Sequence, residues 1–572
     1  MLERIRGRFS HGGNQDRVYQ KWLAENENRE SSQVTKDIQG YELKPKISLI
    51  VTVFNTDPGS LNRCIESVRR QVYDNWELCL HDNASSRQET IDCLDRWGRQ
   101  DDPRIIVALG EQNEDKSIRS NEAVRMAGGE YIGILGDNDE LSPFALSEVV
   151  GLINERPGAD LIYSDEDRID AAGNRFDPWF KPDWSPELLM SVNYINRFYV
   201  VRREIGDRVG WYRPGYDGAQ DYDLLLRIYL VSDKFFHIPR ILYHSGTASR
   251  PARSTVAEKD NSSDDGLKAV TDFLDARGEQ ATAAAGAIST EYIVRYKVRG
   301  SPKVSIIVPF KDKVELLKNC IDRLLEKSSY PDYEVILISN NSREGETREY
   351  LESLNHPRVR LFTYDIPFNY SKINNWGAAQ ATGEYLLFLN NDTEVISPSW
   401  IEEMLGYAQR PEIGAVGAKL LFEDGTIQHG GVVLGIGGFA DHIYAGAREN
   451  SSTAFGRDTW TRNYLAVTAA CLMVDRKKFE AVGGFDEEFV VCGSDVELCL
   501  RLYAAGYRNV YLAFVRLYHY EAQTRRAWVD QKDIECSIRH YAPFLQRGDP
   551  YYNENLSLAG TDGNTLRGLR EN

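Results

Sequence analysis

Residues 44–54 read KPKISLIVTVF, and residues 301–310 read SPKVSIIVPF. Each stretch is an unbroken run of mostly apolar, β-branched residues after a Pro-Lys pair. Such a run is typical of a strand that is buried on both faces of a parallel sheet. The same kind of strand thus occurs twice in one chain, and this repetition determines the fold that we predict.

The segments that follow these two strands also match, and they match in the same order. A helix with a Cys-Ile pair comes first, at Cys64 and at Cys320, and a second strand follows it. A Gly-Glu-Tyr turn then leads into a strand with an acidic end, YIGILGDNDE at 131–140 and YLLFLNNDTE at 385–394. Later, QDYDLLLRIY and SDVELCLRLY precede ILYHSG and RLYHYE. A duplication explains this conserved order better than coincidence does.

Alternating strands and helices predict an α/β chain with two tandem domains, each a mostly parallel mixed sheet flanked by helices. In the connector we expect a helix capped by Ser263 or Asp264 and a strand at EYIVRYKV. The predicted units are an N-terminal helical extension (1–44), a first domain (45–250), a connector (251–300), a second domain (301–530) and a C-terminal extension (531–572).

Composition excludes several classes of protein. The chain has 572 residues, of which 42% are hydrophobic and 27% charged, so it can bury large cores. Its net charge of −18 disfavours nucleic acid as a partner, and its 8 cysteines form no CxxC pair that would indicate a zinc ribbon. We find no signal peptide and no long apolar run, which predicts a cytoplasmic protein. Segment 1–44, with Arg4, Arg6 and Arg8, is the best candidate for peripheral contact with the inner face of a membrane.

In a mostly parallel sheet, ligands bind outside the carboxyl ends of the strands. This rule places Thr52, Asp82 and residues 136–140 around one crevice, and Val308, Ser339 and residues 390–394 around a second. Neither GxGxxG nor GxxxxGK[ST] follows the first strand of either copy. A bound diphosphate would therefore need another source of positive charge, and a divalent cation held by strand-end carboxylates is the obvious one.

Acidic residues directly after the strands are the candidate metal ligands: Asp137 and Asp139 in the first copy, Asp392 and Glu394 in the second. Capping of the next helix is the structural alternative. Asp221 and Asp495 stand at the start of amphipathic helices, where an acid is either a cap or a general base for a second substrate.

Two histidines, His244 and His519, follow those acids at nearly equal spacing, and each comes directly after a tyrosine. An isolated histidine is usually a polar group satisfied by its neighbours. The paired spacing instead makes each of them a candidate third metal ligand.

Longer motifs identify a family. The first copy contains YSDEDRID, FKPDWSPELL and DGAQDYDLLLR, and the second contains FNYSKINNWGAAQATGEYLLFLNNDTEV, GAVGAKLLFEDGTIQHGG, TAACLMV and GGFDEEF. With these motifs, residues 45–530 resemble the tandem, inverting family-two glycosyltransferases of GT-A fold that build O-antigen and capsule-like polysaccharides. The resemblance implies a UDP- or dTDP-sugar donor, an oligosaccharide or lipid-linked acceptor, and Mn²⁺ or Mg²⁺ as the cofactor.

The resemblance also implies a role for each candidate residue. In the first copy, Asp82 matches the acid that reads the nucleotide base, and Asp221 matches the base that deprotonates the acceptor hydroxyl. That hydroxyl attacks the anomeric carbon from the face opposite the leaving diphosphate, which inverts the anomeric configuration without a covalent intermediate. The implied donor-binding residues are Thr52, Asp82, Asp137, Val308, Asn340 and Asn390; the metal ligands are Asp137, Asp139, His244, Asp392 and His519; and the catalytic bases are Asp221 and Asp495.

The sequence departs from the family pattern at several of these positions. Gly136 and Asn138 stand where the family usually has acids, so the first-copy metal either shifts to neighbouring carboxylates or is bound weakly or not at all. Ser339 replaces the usual base-reading acid of the second copy, which leaves that role to Asn340 or to a backbone group. Three alternatives stay open: one active domain with an acceptor-binding partner copy, a nonenzymatic carbohydrate-binding protein, or a nucleotidyltransferase that releases pyrophosphate.

Overall fold

A computed structural model of the chain describes residues 14–27, 30–247, 261–520 and 530–568. Arg4, Arg6 and Arg8 lie outside these ranges. The helices are α1 (Asn14–Asn26), α2 (Ser31–Gly40), α3 (Pro58–Arg69), α4 (Gln88–Gly98), α5 (Lys116–Met126), α6 (Ala145–Glu155), α7 (Pro186–Ser191), α8 (Arg203–Val209), α9 (Gln220–Val231), α10 (Asn261–Ala276), α11 (Val314–Lys327), α12 (Gly345–Ser353), α13 (Tyr370–Gln380), α14 (Trp400–Ala408), α15 (Arg476–Ala481), α16 (Ser494–Ala504) and α17 (Gln531–Leu545).

The strands up to the connector are β1 (Ile47–Val53), β2 (Trp76–Asp82), β3 (Ile105–Leu109), β4 (Tyr131–Ile134), β5 (Glu140–Leu141), β6 (Leu161–Ile169), β7 (Arg175–Trp179), β8 (Tyr199–Arg202), β9 (Phe235–Gly246), β10 (Ala281–Ala285) and β11 (Tyr292–Tyr296). Those after it are β12 (Val304–Phe310), β13 (Tyr333–Ser339), β14 (Val359–Thr363), β15 (Tyr385–Leu389), β16 (Thr393–Val395), β17 (Ile413–Leu421), β18 (Ile427–His429), β19 (Val432–Leu434), β20 (Ala440–His442), β21 (Ser452–Thr453), β22 (Gly456–Arg457), β23 (Arg462–Tyr464), β24 (Cys471–Asp475) and β25 (Arg508–His519).

Two large sheets have the same strand order. The first runs β3-β2-β1-β4-β8-β6-β9-β5, and the second runs β14-β13-β12-β15-β24-β17-β25-β16. In both sheets the first strand of the copy, β1 or β12, is parallel to its two neighbours. The strand beyond β4 or β15, which is β8 or β24, is antiparallel. The predicted fold class, two tandem α/β domains with mostly parallel mixed sheets, is confirmed.

The Gly-Glu-Tyr turns of the two copies serve the same packing purpose. A β-carbon at Gly129 would lie 2.6 Å from the carbonyl oxygen of Lys46, and one at Gly383 would lie 2.6 Å from that of Lys303. No side chain fits at such distances, so glycine is required where the turn crosses the start of the central strand. The repeated glycine is therefore a consequence of close backbone packing.

The connector differs from its prediction in two ways. Helix α10 begins at Asn261, before the expected caps Ser263 and Asp264. Strand β11 forms as expected, but it pairs with β10, whose alanine-rich and largely exposed sequence gave no strand signal. The β10–β11 hairpin packs against α7 and α14, and the Tyr296 hydroxyl lies 3.4 Å from the Met190 sulfur. The connector is thus part of the packed structure.

A buried charged cluster joins the two copies. The carboxylate of Glu187, on α7 of the first copy, accepts hydrogen bonds from Arg410 at 3.0 Å and from Arg508 at 3.1 and 3.2 Å. Glu187 is 1% exposed. Burial alone would raise the pKa of Glu187, but Arg508 and Arg410 lower it to about 2. The cluster therefore keeps an ionised carboxylate in the middle of the interface.

The C-terminal segment returns to the first copy. The side-chain amide of Asn553 donates to the Asp165 carboxylate at 2.9 and 3.1 Å and to the Lys181 carbonyl at 2.8 Å. His237 lies 2.9 Å from the same carboxylate. Burial alone would lower the pKa of His237, but its acidic neighbours raise it to about 9. The first copy and the C-terminal segment therefore share one buried polar network.

No helix in the described part of the chain is long and apolar enough to span a membrane.

Candidate active sites

In the first copy, β1 and β2 end side by side at one edge of the sheet. Thr52 lies half-buried one residue before the end of β1, opposite His81. Asp82 ends β2 and is buried, and its carboxylate accepts hydrogen bonds from the Ser85 amide at 2.9 Å and the Ser85 hydroxyl at 2.6 Å. Asp82 therefore fixes the loop after β2. Its implied role as the base-reading acid stays a prediction.

Asp137 lies just beyond the end of β4. The hydroxyl of Thr56 donates to its carboxylate, and the side-chain amide of Asn138 lies 3.1 Å from its other oxygen. Burial raises the pKa of Asp137, and the nearby Asp139 raises it further. Thr56, which sequence reasoning missed, thus holds one of the candidate ligands. Its position just past β1 was the only signal that could have identified it.

Asp139 is 1% exposed, and its carboxylate is already fully engaged. It accepts hydrogen bonds from the Tyr243 hydroxyl and from the Gly246 amide at 2.9 Å, and Arg197 lies 3.4 Å away. In the described residues, Asp137, Asp139 and His244 do not place one ligand atom each within 4.8 Å of one another. The predicted three-residue metal site of the first copy is therefore not assembled, because Asp139 turns toward its own neighbours.

His244 is also held by another residue. Its Nδ1 atom lies 2.6 Å from the carboxylate of Asp167, which in turn pairs with Arg175 at 2.6 Å. Both His244 and Asp167 are buried. The β5–β9 pairing places Glu140, rather than Asp139, opposite His244.

The first-copy candidate base sits in a tyrosine-lined position. Asp221 lies in the first turn of α9 and is half-buried, and its carboxylate accepts hydrogen bonds from Tyr199 at 2.7 Å and Tyr212 at 3.3 Å. Burial and the adjacent Asp221 raise the pKa of Tyr199 well above its usual value, so this hydroxyl keeps its proton at neutral pH. Two tyrosine hydroxyls thus hold the Asp221 carboxylate in place, and its implied role as the general base stays a prediction.

The second-copy strand end is arranged differently. The Asp392 carboxylate lies 3.2 Å from Nε2 of His519, and the side-chain amide of Asn390 lies 3.3 Å from the same nitrogen. Two ligands at about 2.1 Å from an octahedral ion are separated by roughly 3 Å, which matches the spacing of the Asp392 carboxylate and His519 Nε2. The Asn390 atom at 3.3 Å is its amide nitrogen, so Asn390 would bind an ion through its Oδ1 atom instead. Nδ1 of His519 is buried and has no hydrogen-bond partner in the described residues. Asn390, Asp392 and His519 therefore fit a divalent cation, and the predicted residues are brought together.

Asp495 lies half-buried in the first turn of α16, the counterpart of α9. Its carboxylate accepts hydrogen bonds from the Ala469 amide at 3.0 Å and the Thr468 hydroxyl at 3.1 Å. The two candidate bases thus have the same place in the fold but different supporting groups, two tyrosines in one copy and a backbone amide with a threonine in the other.

The remaining donor-binding predictions of the second copy differ in outcome. Asn340 follows β13, and its amide group donates to the carbonyls of Tyr364 at 2.8 Å and Ile366 at 3.0 Å. Its Oδ1 atom is buried without a partner in the described residues. Val308 is fully buried in the hydrophobic core, so its side chain does not reach the crevice and the prediction for it needs correction. A core residue was mistaken for a lining residue because the strand runs on past it.

A further cluster lies beside the second copy. Asp486, Glu497 and His540 each place one ligand atom within 4.8 Å of the others. Arg501, however, bonds both oxygens of Glu497 at 2.5 Å. The Arg501 guanidinium already supplies the positive charge that a metal ion would bring. The cluster is therefore an ion-pair network, in which Glu497 on α16 and His540 on α17 lie close together.

The two copies thus share one α/β sheet order, polar strand ends and an acid in the first turn of a matched helix. The glycosyl transferase family 2 model matches residues 48–183 and 305–483. The chain belongs to this family, and each of its two copies matches the family model.

Relatives extend the match over almost the whole chain. This chain is 46% identical over 547 residues to the O-antigen biosynthesis protein RfbC of Myxococcus xanthus. The match covers 95% of this chain and 43% of the relative. It is 40% identical over 532 residues to the uncharacterized protein y4gI of Sinorhizobium fredii, with 91% of this chain and 58% of that protein covered. The chain thus spans about half the length of these relatives.

A solved structure of GalNAc-T7 with UDP, GalNAc and Mn²⁺ is similar over 44% of this chain and 49% of its own, with 14% identity and a TM-score of 0.35.

Proposed function

We propose that the chain is a bifunctional, inverting glycosyltransferase that moves sugars from nucleotide-diphosphate donors to a growing surface polysaccharide or lipid-linked acceptor. The observation that carries this proposal is the matched placement of Asp221 and Asp495. Each carboxylate lies in the first turn of its helix, α9 or α16, and these helices come directly before the matched strands β9 and β25. Each carboxylate is half-buried and is held in place by hydrogen bonds. The O-antigen role of the Myxococcus relative supports a polysaccharide acceptor.

Each residue in the second copy then has a defined task. Asp495 takes the proton from the acceptor hydroxyl as that oxygen attacks the anomeric carbon. Asn390, Asp392 and His519 would hold a Mn²⁺ or Mg²⁺ ion, which when bound neutralises the leaving diphosphate. Asn340, whose Oδ1 atom has no hydrogen-bond partner among the residues that the structure describes, is the proposed acceptor for an N–H group of the nucleotide base. We propose a UDP- or dTDP-sugar as the donor.

In the first copy, Asp221 is the proposed base, with Tyr199 and Tyr212 orienting its carboxylate. Thr52 and Asp82 line the nucleotide end of the crevice, and Asp82 positions the loop that contacts the base. Loss of a general base costs about 10²–10⁴ in rate. Each copy is thus expected to lose its own transfer reaction when its aspartate becomes asparagine.

The test uses the full chain with the single variants Asp221→Asn and Asp495→Asn, assayed against a panel of nucleotide sugars with product analysis. Asp233→Asn, an exposed change just after α9, is the matched control and should leave transfer unchanged. Each catalytic variant should abolish one transfer and spare the other. Should one variant leave every transfer intact, only the other copy is catalytic, and pyrophosphate as the product would indicate a nucleotidyltransferase instead.

A further inference from the structure

The strand end of the first copy carries its own cations. Arg197 lies 3.4 Å from the buried Asp139 carboxylate. Arg119 lies on α5, and burial lowers its pKa, whereas the charges of Asp137, at the same strand end, and of Asp217 raise it. The Nε atom of Arg119 is buried and, within the described ranges, has no hydrogen-bond partner. A guanidinium in that state is a ready donor to an anion.

The second copy has an apolar residue where Arg119 stands. Helices α5 and α13 both lead through the Gly-Glu-Tyr turn into a central strand, at Tyr131 and Tyr385. Counted back over equal distances from these tyrosines, Arg119 corresponds to Ile373. Ile373 is buried in the core. The second copy therefore lacks this cation.

The position of Arg197 is also apolar in the second copy. Arg202 and Asp475 lie opposite the first residues of β4 and β15. Five residues before them stand Arg197 and Ala470, respectively. Here the preceding Ala469 amide donates to the candidate base Asp495, and the Ala470 carbonyl accepts a hydrogen bond from the Asn390 amide. Both arginines are thus specific to the first copy.

Gly136 leaves room for the ion pair between Asp139 and Arg197 in the first copy. A β-carbon at Gly136 would lie 2.2 Å from the Asp139 carboxylate oxygen and 3.3 Å from Nη1 of Arg197. The acid that the family usually has at this position would therefore collide with the Asp139–Arg197 pair. The pair occupies the space of a metal-binding side chain, so the residues of the first copy do not fit a divalent cation.

We propose that the first copy binds the diphosphate of a nucleotide through Arg119 and Arg197 and without a divalent cation, whereas the second copy requires one. This inference rests on the proposed function, since it takes nucleotide diphosphates as ligands of both copies. Two guanidinium groups bring the same formal charge as one divalent cation, and they bind phosphate oxygens through directed hydrogen bonds. The negative charge of the diphosphate is thus balanced by two arginines in the first copy and by a divalent cation in the second.

The experiment measures binding rather than activity, on the full chain. Isothermal titration calorimetry with UDP and with dTDP, in Mn²⁺ and in EDTA, counts nucleotide sites. Electron paramagnetic resonance in the presence of the same nucleotides counts bound Mn²⁺. We expect two nucleotide sites in Mn²⁺, one in EDTA, and one nucleotide-dependent Mn²⁺ per chain.

Three variants assign the sites. Asp392→Ala should remove the bound Mn²⁺ and leave the EDTA-resistant nucleotide site intact. Arg119→Gln should weaken the EDTA-resistant site roughly tenfold or more and leave the Mn²⁺ count unchanged. Arg125→Gln, an exposed change on the same helix, is the matched control and should alter neither. Arg197→Lys tests the second cation while keeping a charge beside Asp139.

Two bound Mn²⁺ ions per chain, or no nucleotide binding in EDTA, would overturn the inference. An EDTA-resistant site that Arg119→Gln and Arg197→Lys both leave unchanged would overturn it as well. These outcomes differ from failure of the proposed function, in which no nucleotide of any kind binds, with or without Mn²⁺.

Discussion

The buried carboxylate of Glu187 offers the sharpest test of how the two copies are held together. Glu187→Gln keeps the size of the side chain but removes its charge. Arg410 and Arg508 would then face each other in the interface with Glu412 as their remaining acidic neighbour, at 2.6 and 3.6 Å. The expected result is a large loss of stability.

The structure gives the magnitude in two ways. A carboxyl whose pKa falls from 4.5 to about 2 on folding contributes roughly 3 kcal/mol to the free energy of unfolding at neutral pH. Removing one partner of a buried ion pair typically costs about 3–5 kcal/mol. Both routes predict that Glu187→Gln lowers the free energy of unfolding by at least about 3 kcal/mol at pH 7.

The direction in which this loss of stability changes with pH follows from the direction of the pKa change. Because the pKa of Glu187 is lowered in the folded chain, its contribution is present above the unfolded pKa of 4.5 and disappears as the pH falls toward 2. The difference between variant and wild type should therefore shrink steadily below about pH 4.5.

Urea unfolding followed by tryptophan fluorescence, with a common slope for both proteins, measures the difference. Glu66→Gln is the control, because its ion pair with Arg69 is exposed and should contribute less than about 1 kcal/mol. If Glu187→Gln and Glu66→Gln destabilise the chain equally, the reasoning about a charged interface is refuted.

Three further outcomes are expected. Raising the pH from 6.5 through 9 should lower the midpoint of unfolding. The stabilisation from protonated His237 is complete below its unfolded pKa of 6.5 and is lost as the pH rises through its folded pKa of about 9. His237→Asn should therefore flatten this part of the pH profile. Gly136→Ala should abolish first-copy nucleotide binding in calorimetry and spare the second copy, since its β-carbon would meet the Asp139 carboxylate at 2.2 Å. Tyr199→Phe should reduce first-copy transfer by about tenfold in single-donor assays, because one orienting hydrogen bond is worth about 1.5 kcal/mol. This loss is smaller than the loss expected for Asp221→Asn, and an equally large loss would contradict an orienting role.

The duplicated sheets were predictable because their signal is local. A buried parallel strand and a Gly-Glu-Tyr turn each depend on a few adjacent residues, and repetition doubled the evidence. Asp392 and His519 were also found correctly as neighbours, because strand ends of one sheet meet at one edge. The altered acidic pattern around Gly136 marked the first copy as different.

What the sequence did not reveal depends on contacts between distant residues. Nothing in the sequence near Asp139 indicates that Arg197 will lie beside it. The short sequence of α7 likewise does not indicate that Glu187 is buried against Arg508. Val308 was misplaced because a strand pattern gives its length more reliably than the point at which it leaves the core. Charge pairing across a fold is set by three-dimensional packing, which periodicity alone does not encode.

The bond between Asn553 and Asp165 also has a consequence for synthesis. Its partners are 388 residues apart in the chain. At a translation rate of about 5–20 residues per second, roughly 20–80 s pass between the appearance of the aspartate and that of its amide partner. The first half of the chain can form its sheet in that time, but its buried polar network stays incomplete until the second half has emerged from the ribosome. Completion of this buried network in the first copy therefore waits for synthesis of the C-terminal segment.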